Sequence, residues 1–308
     1  MKDVMIICNP ASGGGRTGRK WHEIASQVRS AGLDFDDALT TCAGEATELA
    51  RGAAADGRRL VVVAGGDGTV NEVANGLLLA ADAGAAPPRL GVLPAGTGGD
   101  FRRSFGIPSD PASAARVLHD GRTRRIDAGR IACVDAEGRD QHLHFVNIAS
   151  AGIAADVMRR VRRGPRVISG QVTIQLAALA VLLRWRNRQI TALIDEERLE
   201  VVAQQVVVAN CQYYGGGMRV APRAVPDDGL LDVLVVGDVN LLDNARGMHK
   251  FRSGTHLEED NPKLTYRRAR RVELESADLV RVEVDGELPG GLPASFEVMP
   301  SALELVVP

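Results

Sequence analysis

The acids best placed to do chemistry in this chain each sit beside a glycine. Asp67 lies inside Gly65-Gly66-Asp67-Gly68-Thr69, Asp228 precedes Gly229, and Asp285 and Glu287 bracket Gly286. Glycine lets the main chain take left-handed angles and lets a ligand come close to it. A carboxylate beside phosphate is costly unless a divalent cation lies between them, so Asp67 is a candidate to act through magnesium, with bonding of its own turn as the alternative. Asp285 and Glu287 are candidates to take a proton from an attacking hydroxyl, which needs close positioning or a raised pKa. Taken alone, Asp285-Gly286 after the alternating Val280, Val282 and Val284 is also a plain hairpin signal. Phosphoryl transfer asks for three parts: a phosphate cradle, a cation and a proton acceptor.

The elements that would hold these residues follow from patterning. Residues 60–63, four apolar residues in a row, predict a strand covered on both faces. Val70, Val73, Ala74, Leu77 and Leu78 recur at helical spacing, so a helix follows the glycine turn, with Thr69 expected to cap it. Its N–H groups and positive dipole end point at the glycines, the makings of an anion site. A second glycine loop, NPASGGGRTG, follows a strand over 4–8 and precedes a helix from about residue 20 to 30. Gly13, Gly15 and Gly18 satisfy G-x-G-x-x-G, with Asp34 or Asp36 near where a ribose-binding acid would fall, so a dinucleotide-dependent oxidoreductase is a rival reading. Walker A is excluded, because Arg19 and Lys20 follow Gly18. A strand over 89–93 and a helix from Pro111 to near Gly121 complete an α/β half. From Arg125 the texture becomes β-rich: strands are expected over 126–134, 142–148, 189–194, 200–210, 231–236, 271–275 and 279–284, with helices over 169–185 and 239–251.

Composition sets the frame. The 308 residues suffice for two domains, and 45% hydrophobic and 25% charged residues are globular values. A formal net charge of −2 argues against a general nucleic-acid binder. Cys8, Cys42, Cys133 and Cys211 show no zinc-site spacing and are expected as reduced thiols. The N-terminal apolar run is too short for a signal peptide, and residues 176–183, the longest greasy stretch, are too few to span a bilayer. Arg159, Arg160, Arg162, Arg163 and Arg166 cluster, as do Arg184, Arg186 and Arg188, and Arg267, Arg268, Arg270 and Arg271. Such clusters are solvated surface by default and otherwise suit anionic lipid headgroups.

The extended run GGDGTVNEVANG resembles the signature of the diacylglycerol kinase catalytic-domain family, which includes bacterial lipid kinases and sphingosine kinases; its shorter core is shared with NAD kinases and phosphofructokinases. Asn9-Pro10 with Ser12-Gly13, the segment from Thr40 to Ala46, and GTGGDFRR resemble further family blocks, with Gly99 standing where the family has Asn. The resemblance implies an NAD kinase/phosphofructokinase-like α/β N-terminal domain over 1–124 and a β-rich C-terminal sandwich domain over 125–308, with 294–308 running back toward the first. It implies ATP held by Asn9, Pro10, Ala11, Ser12, Gly13, Thr40, Gly65, Gly66, Asp67, Gly68, Thr69, Val70, Asn71, Glu72 and Thr97, in a cleft between the domains. It implies Mg2+ held by the Asp228 side chain and the carbonyls of Val225 and Leu230. Glu287 or Asp285 would be the general base for a lipid hydroxyl, Glu287 being favoured because an acid in the turn is more readily occupied with its own backbone. A cytoplasmic lipid kinase meeting the inner membrane face transiently is the expectation, with a homodimer left open and no nucleic-acid partner. The alternatives are an NAD kinase-like phosphotransferase and a non-catalytic lipid-binding relative.

Overall fold

The computed structural model describes residues 2–96, 98–164 and 170–308. Thr97 and Arg166 therefore lie outside the described residues. The chain divides into two compact units, Met1–Asp127 with Ser301–Pro308, and Ala128–Pro300.

The first unit alternates strands and helices: β1 Val4–Cys8, α1 Arg16–Ser30, β2 Phe35–Leu39, α2 Glu45–Ala55, β3 Leu60–Gly65, α3 Asp67–Asp82, β4 Arg89–Pro94, α4 Asp100–Ser104 and α5 Pro111–Asp120. The strands are parallel in the order β2-β1-β3-β4, and Leu305 of the C-terminal strand pairs in parallel with Leu90. All six residues of β3 are buried, as a continuous apolar run flanked by strands on both edges requires. Trp21, Ile24, Ala25 and Val28 of α1 pack with Ile6, Leu60, Val62 and Leu118 in one core. α1 begins at Arg16 and not near residue 20, because apolar spacing reports only the buried face and is silent over the polar first turn. β2, which apolar patterning did not reveal, buries only Phe35; Asp36 is held by Arg58 at 2.6 Å, and Asp37 accepts from the Trp21 indole N–H at 2.8 Å.

β5 Arg122–Val134 carries the chain into the second unit. There follow β6 Asp140–Phe145, β7 Ile148–Gly152, α6 Ile153–Arg163, α7 Gly170–Leu182, β8 Arg188–Ile194, β9 Glu197–Ala203, β10 Gln205–Ala209, β11 Leu231–Val236, α8 Leu241–Ser253, β12 Leu264–Ala269, β13 Arg271–Glu275, β14 Arg281–Val284 and β15 Glu287–Val307. β12-β11-β10-β7-β14 form one antiparallel series, while β15 also pairs with β13, which pairs with β8. Side chains from both series, including Ala149, Ala151, Val206, Val208, Val282 and Val284 on one side and Ile190, Ile194, Val272, Leu274 and Phe296 on the other, meet in a single core. That is the interior of a sandwich. Two strands expected as continuous are each broken in two. The run over 142–148 stops where the N–H groups of Val146 and Asn147 turn to a side chain, and the run over 200–210 stops where Gln204 donates to the carbonyls of Val236 and Gly237. α6 carries the arginines of 159–163, which apolar spacing does not mark as a helix.

Candidate functional site

In the first unit three loops converge at the C-terminal ends of β1, β3 and β4, the edge where parallel sheets bind ligands. Asn9 ties two of them together: its N–H donates to Ala64, its side-chain amide donates to the Thr69 hydroxyl at 3.0 Å, and its Oδ1 accepts from Ala11. Thr17, which sequence reasoning did not single out, joins the third by donating to the Ala95 carbonyl at 2.8 Å. Glycine is required where these loops touch. A Cβ on Gly96 would lie 2.5 Å from the Gly66 Cα, and one on Gly18 would lie 2.8 Å from the Pro10 Cβ.

α3 starts at Asp67 with Gly66 as its N-cap, and no side chain among the described residues caps it there. The expectation that Thr69 caps this helix is corrected: the N-cap is Gly66, three residues earlier, and the Thr69 hydroxyl accepts from Asn9 instead. The end left without a side-chain cap is where an anion is stabilised by the dipole and main-chain N–H groups. Asp67 turns away from that role. Its carboxylate accepts from the N–H groups of Gly99 at 2.7 Å, Asp100 at 3.1 Å and Phe101 at 3.1 Å, so it holds the first turn of α4. Gly99 has φ +77, a left-handed backbone that glycine occupies freely and asparagine tolerates better than most residues. Thr40 is buried and donates its N–H to Cys8; the Asn71 side chain accepts from Asn75 at 2.8 Å, and the Glu72 carbonyl accepts from Thr47.

In the second unit Asp285 at φ +46 and Gly286 at φ +92 make the turn between β14 and β15. The Asp285 carboxylate accepts from the N–H groups of Val146 at 2.9 Å, Asn147 at 3.3 Å and Ile148 at 2.8 Å, which fixes the turn to the break between β6 and β7. Glu287, by contrast, points outward with half of its side chain exposed and pairs with Arg162 of α6 at 2.7 Å. Of the two acids, it is the more exposed. Glu283, one strand position inside the turn, is wholly buried, and burial pushes its carboxyl up to about 7. An acid between Val282 and Val284 in an inward-facing run was the signal available in the sequence for it.

Asp228 accepts from the Leu230 N–H at 3.1 Å and pairs with Arg268. Nearby, Asp232 is buried, one of its oxygens accepts from the Tyr266 hydroxyl, and the other has no partner among the described residues. The Asp232 carboxyl is raised to about 6, chiefly by burial and in small part by the Asp228 charge, against the pull of the Tyr266 hydrogen bond and the Arg268 charge. An orphaned buried carboxylate oxygen beside a second carboxylate is oxygen-donor chemistry that suits a hard cation, with Arg268 now balancing the charge. Several other arginines of the basic clusters are paired as well: Arg159 with Asp156, Arg267 with Glu197 and Arg271 with Glu273.

Residues 3–131 match the diacylglycerol kinase catalytic domain, and residues 147–307 match the YegS C-terminal NAD kinase beta sandwich-like domain. The chain belongs to the diacylglycerol kinase family. A diacylglycerol kinase of Mycobacterium tuberculosis (strain H37Rv) is 33% identical over 99% of this chain and 95% of its own length. One of Bacillus subtilis (strain 168) is 30% identical over 100% of this chain and 97% of its own length. A solved structure of a diacylglycerol kinase from Bacillus anthracis str. Sterne shares the fold at 23% identity, with a TM-score of 0.73 over 99% of this chain and 96% of that one.

Proposed function

We propose that this chain is an ATP-dependent lipid kinase that transfers the γ-phosphate to the hydroxyl of a diacylglycerol-like acceptor. The observation that carries the reading is the start of α3, with no side-chain cap among the described residues, where Gly96 approaches Gly66 too closely for a Cβ on Gly96. The main-chain groups of Gly65 to Thr69 and of the loop from Asn9 to Gly13 would bind and orient the phosphates, with no side chain in the way. A magnesium ion on the phosphates would supply charge neutralisation, and a separate, structural magnesium away from ATP would be held by the Asp228 side chain with the carbonyls of Val225 and Leu230. Glu287 takes the proton of the acceptor hydroxyl as its oxygen bonds to the γ-phosphorus and the bridging oxygen leaves with ADP. Asp285 and Asp67 act by holding backbone and not by accepting that proton, because their oxygens already receive main-chain N–H groups.

No helix among the described residues is long and apolar enough to cross a membrane. In this reading a cytoplasmic enzyme reaches its acceptor at the membrane surface. Incubation with γ-labelled ATP, magnesium and a panel of lipid hydroxyls, with NAD as a further acceptor, tests it. Label in an organic-soluble product supports the proposal. Label only in a water-soluble dinucleotide, or in neither, overturns it.

A further inference from the structure

Under the Asp285-Gly286 turn lies a carboxylate that the proposed transfer does not use. Glu283 is 0% exposed on β14. Its Oε2 accepts from the Tyr214 hydroxyl at 2.6 Å and from the Ser150 hydroxyl at 3.2 Å, and its Oε1 accepts from the Gly286 N–H. The donors come from three separate segments: β7, the loop between β10 and β11, and the turn itself. A buried acid is expensive to keep, so its three converging donors call for a reason. Docking the hairpin is not that reason. An Asp-Gly turn forms readily by itself, and the three N–H groups held by Asp285 already attach it to the break between β6 and β7.

What Glu283 adds is local to Gly286, the residue before Glu287. Its N–H is held by Glu283 and its carbonyl accepts from Arg162 at 2.8 Å, and the same Arg162 nitrogen pairs with Glu287 at 2.7 Å. The backbone from which Glu287 extends is thus gripped on both sides.

We infer that Glu283 is a positioning residue for Glu287: through the Gly286 N–H it fixes the backbone that carries the proton-accepting side chain, and Tyr214 and Ser150 fix Glu283 in turn. This rests on the reading of Glu287 as the base. The charged and titratable groups around it are Tyr214 and Asp285, with Arg162 and Glu287 on the far side of Gly286. Burial raises the Glu283 carboxyl to about 7 against the opposing pull of the Tyr214 and Gly286 hydrogen bonds.

The test uses the full chain with Glu283→Gln, Tyr214→Phe and Ser150→Ala. Glu283→Gln is expected to keep ATP affinity and KM while kcat falls about 10- to 100-fold, the scale of a misplaced catalytic group. Tyr214→Phe removes a donor that holds the Glu283 pKa down, so the acid limb of its kcat profile is expected to move to higher pH. Wild-type kcat in Glu283→Gln, or a loss equal to its loss of folded protein, overturns the inference. If Glu283→Gln does not fold, the kcat profiles of the other two decide, and profiles identical to wild type overturn it. Amide exchange at Gly286 provides an arm independent of turnover. Wild-type protein inactive on every lipid refutes the proposed function, whereas unchanged Gly286 protection in Glu283→Gln refutes the positioning role alone.

Discussion

Gly66 faces open space apart from the Gly96 Cα, which a Cβ would meet at 3.5 Å, and its φ of −100 suits any residue. A Cβ there meets only ordinary contact in the fold. Gly66→Val is expected to fold and to lose ATP binding, measured by calorimetry in the presence of magnesium; unchanged affinity would move the phosphates elsewhere. The two acids around Gly286 separate in the same way. Glu287→Gln is expected to lower kcat by about 10²- to 10⁴-fold at wild-type thermal stability, as loss of a general base does. Asp285→Asn leaves main-chain N–H groups facing a weaker acceptor, with one of its two oxygens replaced by a donor. It is expected to lower stability by roughly 1–3 kcal/mol, read from denaturant unfolding. Near wild-type turnover in Glu287→Gln would return the hairpin to a purely structural part.

At the scale of elements, β14 combines an apolar strand with one buried acid, and that combination sets a pH dependence. The Glu283 carboxyl stands at about 7 in the folded chain against an ordinary value of 4.5. A raised carboxyl favours folding while it is protonated, so its contribution is fully present below 4.5 and is lost as pH rises through about 7. The lost contribution is on the order of 3 kcal/mol, from about 1.4 kcal/mol per pKa unit. Glu283→Gln lacks this dependence, so the wild type is expected to lose stability relative to it between those two pH values; parallel stability curves across that window would count against a buried, raised acid. Other elements act through their ends. The Asp67 carboxylate seats α4 at its first turn, and Asp110 caps α5 by accepting from Ser113 at 2.8 Å. Both use the N–H groups that a helix leaves unpaired at its start.

For the molecule as a whole, a bound cation is a folding ligand, since whatever binds only the folded chain stabilises it. Magnesium is expected to raise the Tm of the wild type and not that of Asp228→Ala, with differential scanning fluorimetry in EDTA and in magnesium as the check. No difference between the two conditions in wild type would remove the site from Asp228. The sequence by itself determined the alternation of apolar strands and amphipathic helices up to Asp120, the β-rich texture after it, the glycine loops and the acids beside them. These are local properties, written in spacing, in Gly, Pro and Asp at turns, and in runs such as residues 60–63. Only the tertiary structure decided which acids are engaged. Asp67, Asp285 and Glu287 look alike beside their glycines, yet Asp67 meets the N–H groups of α4, Asp285 those of Val146 to Ile148, and Glu287 an arginine of α6. β2 and α6 escaped for a related reason: Asp36 and Asp37 hide an edge strand, and the arginines of 159–163 hide a helix whose fully buried member is Ala155. Glu283 completes the case, because an acid reads as surface until strands far apart in the chain close over it and supply its donors.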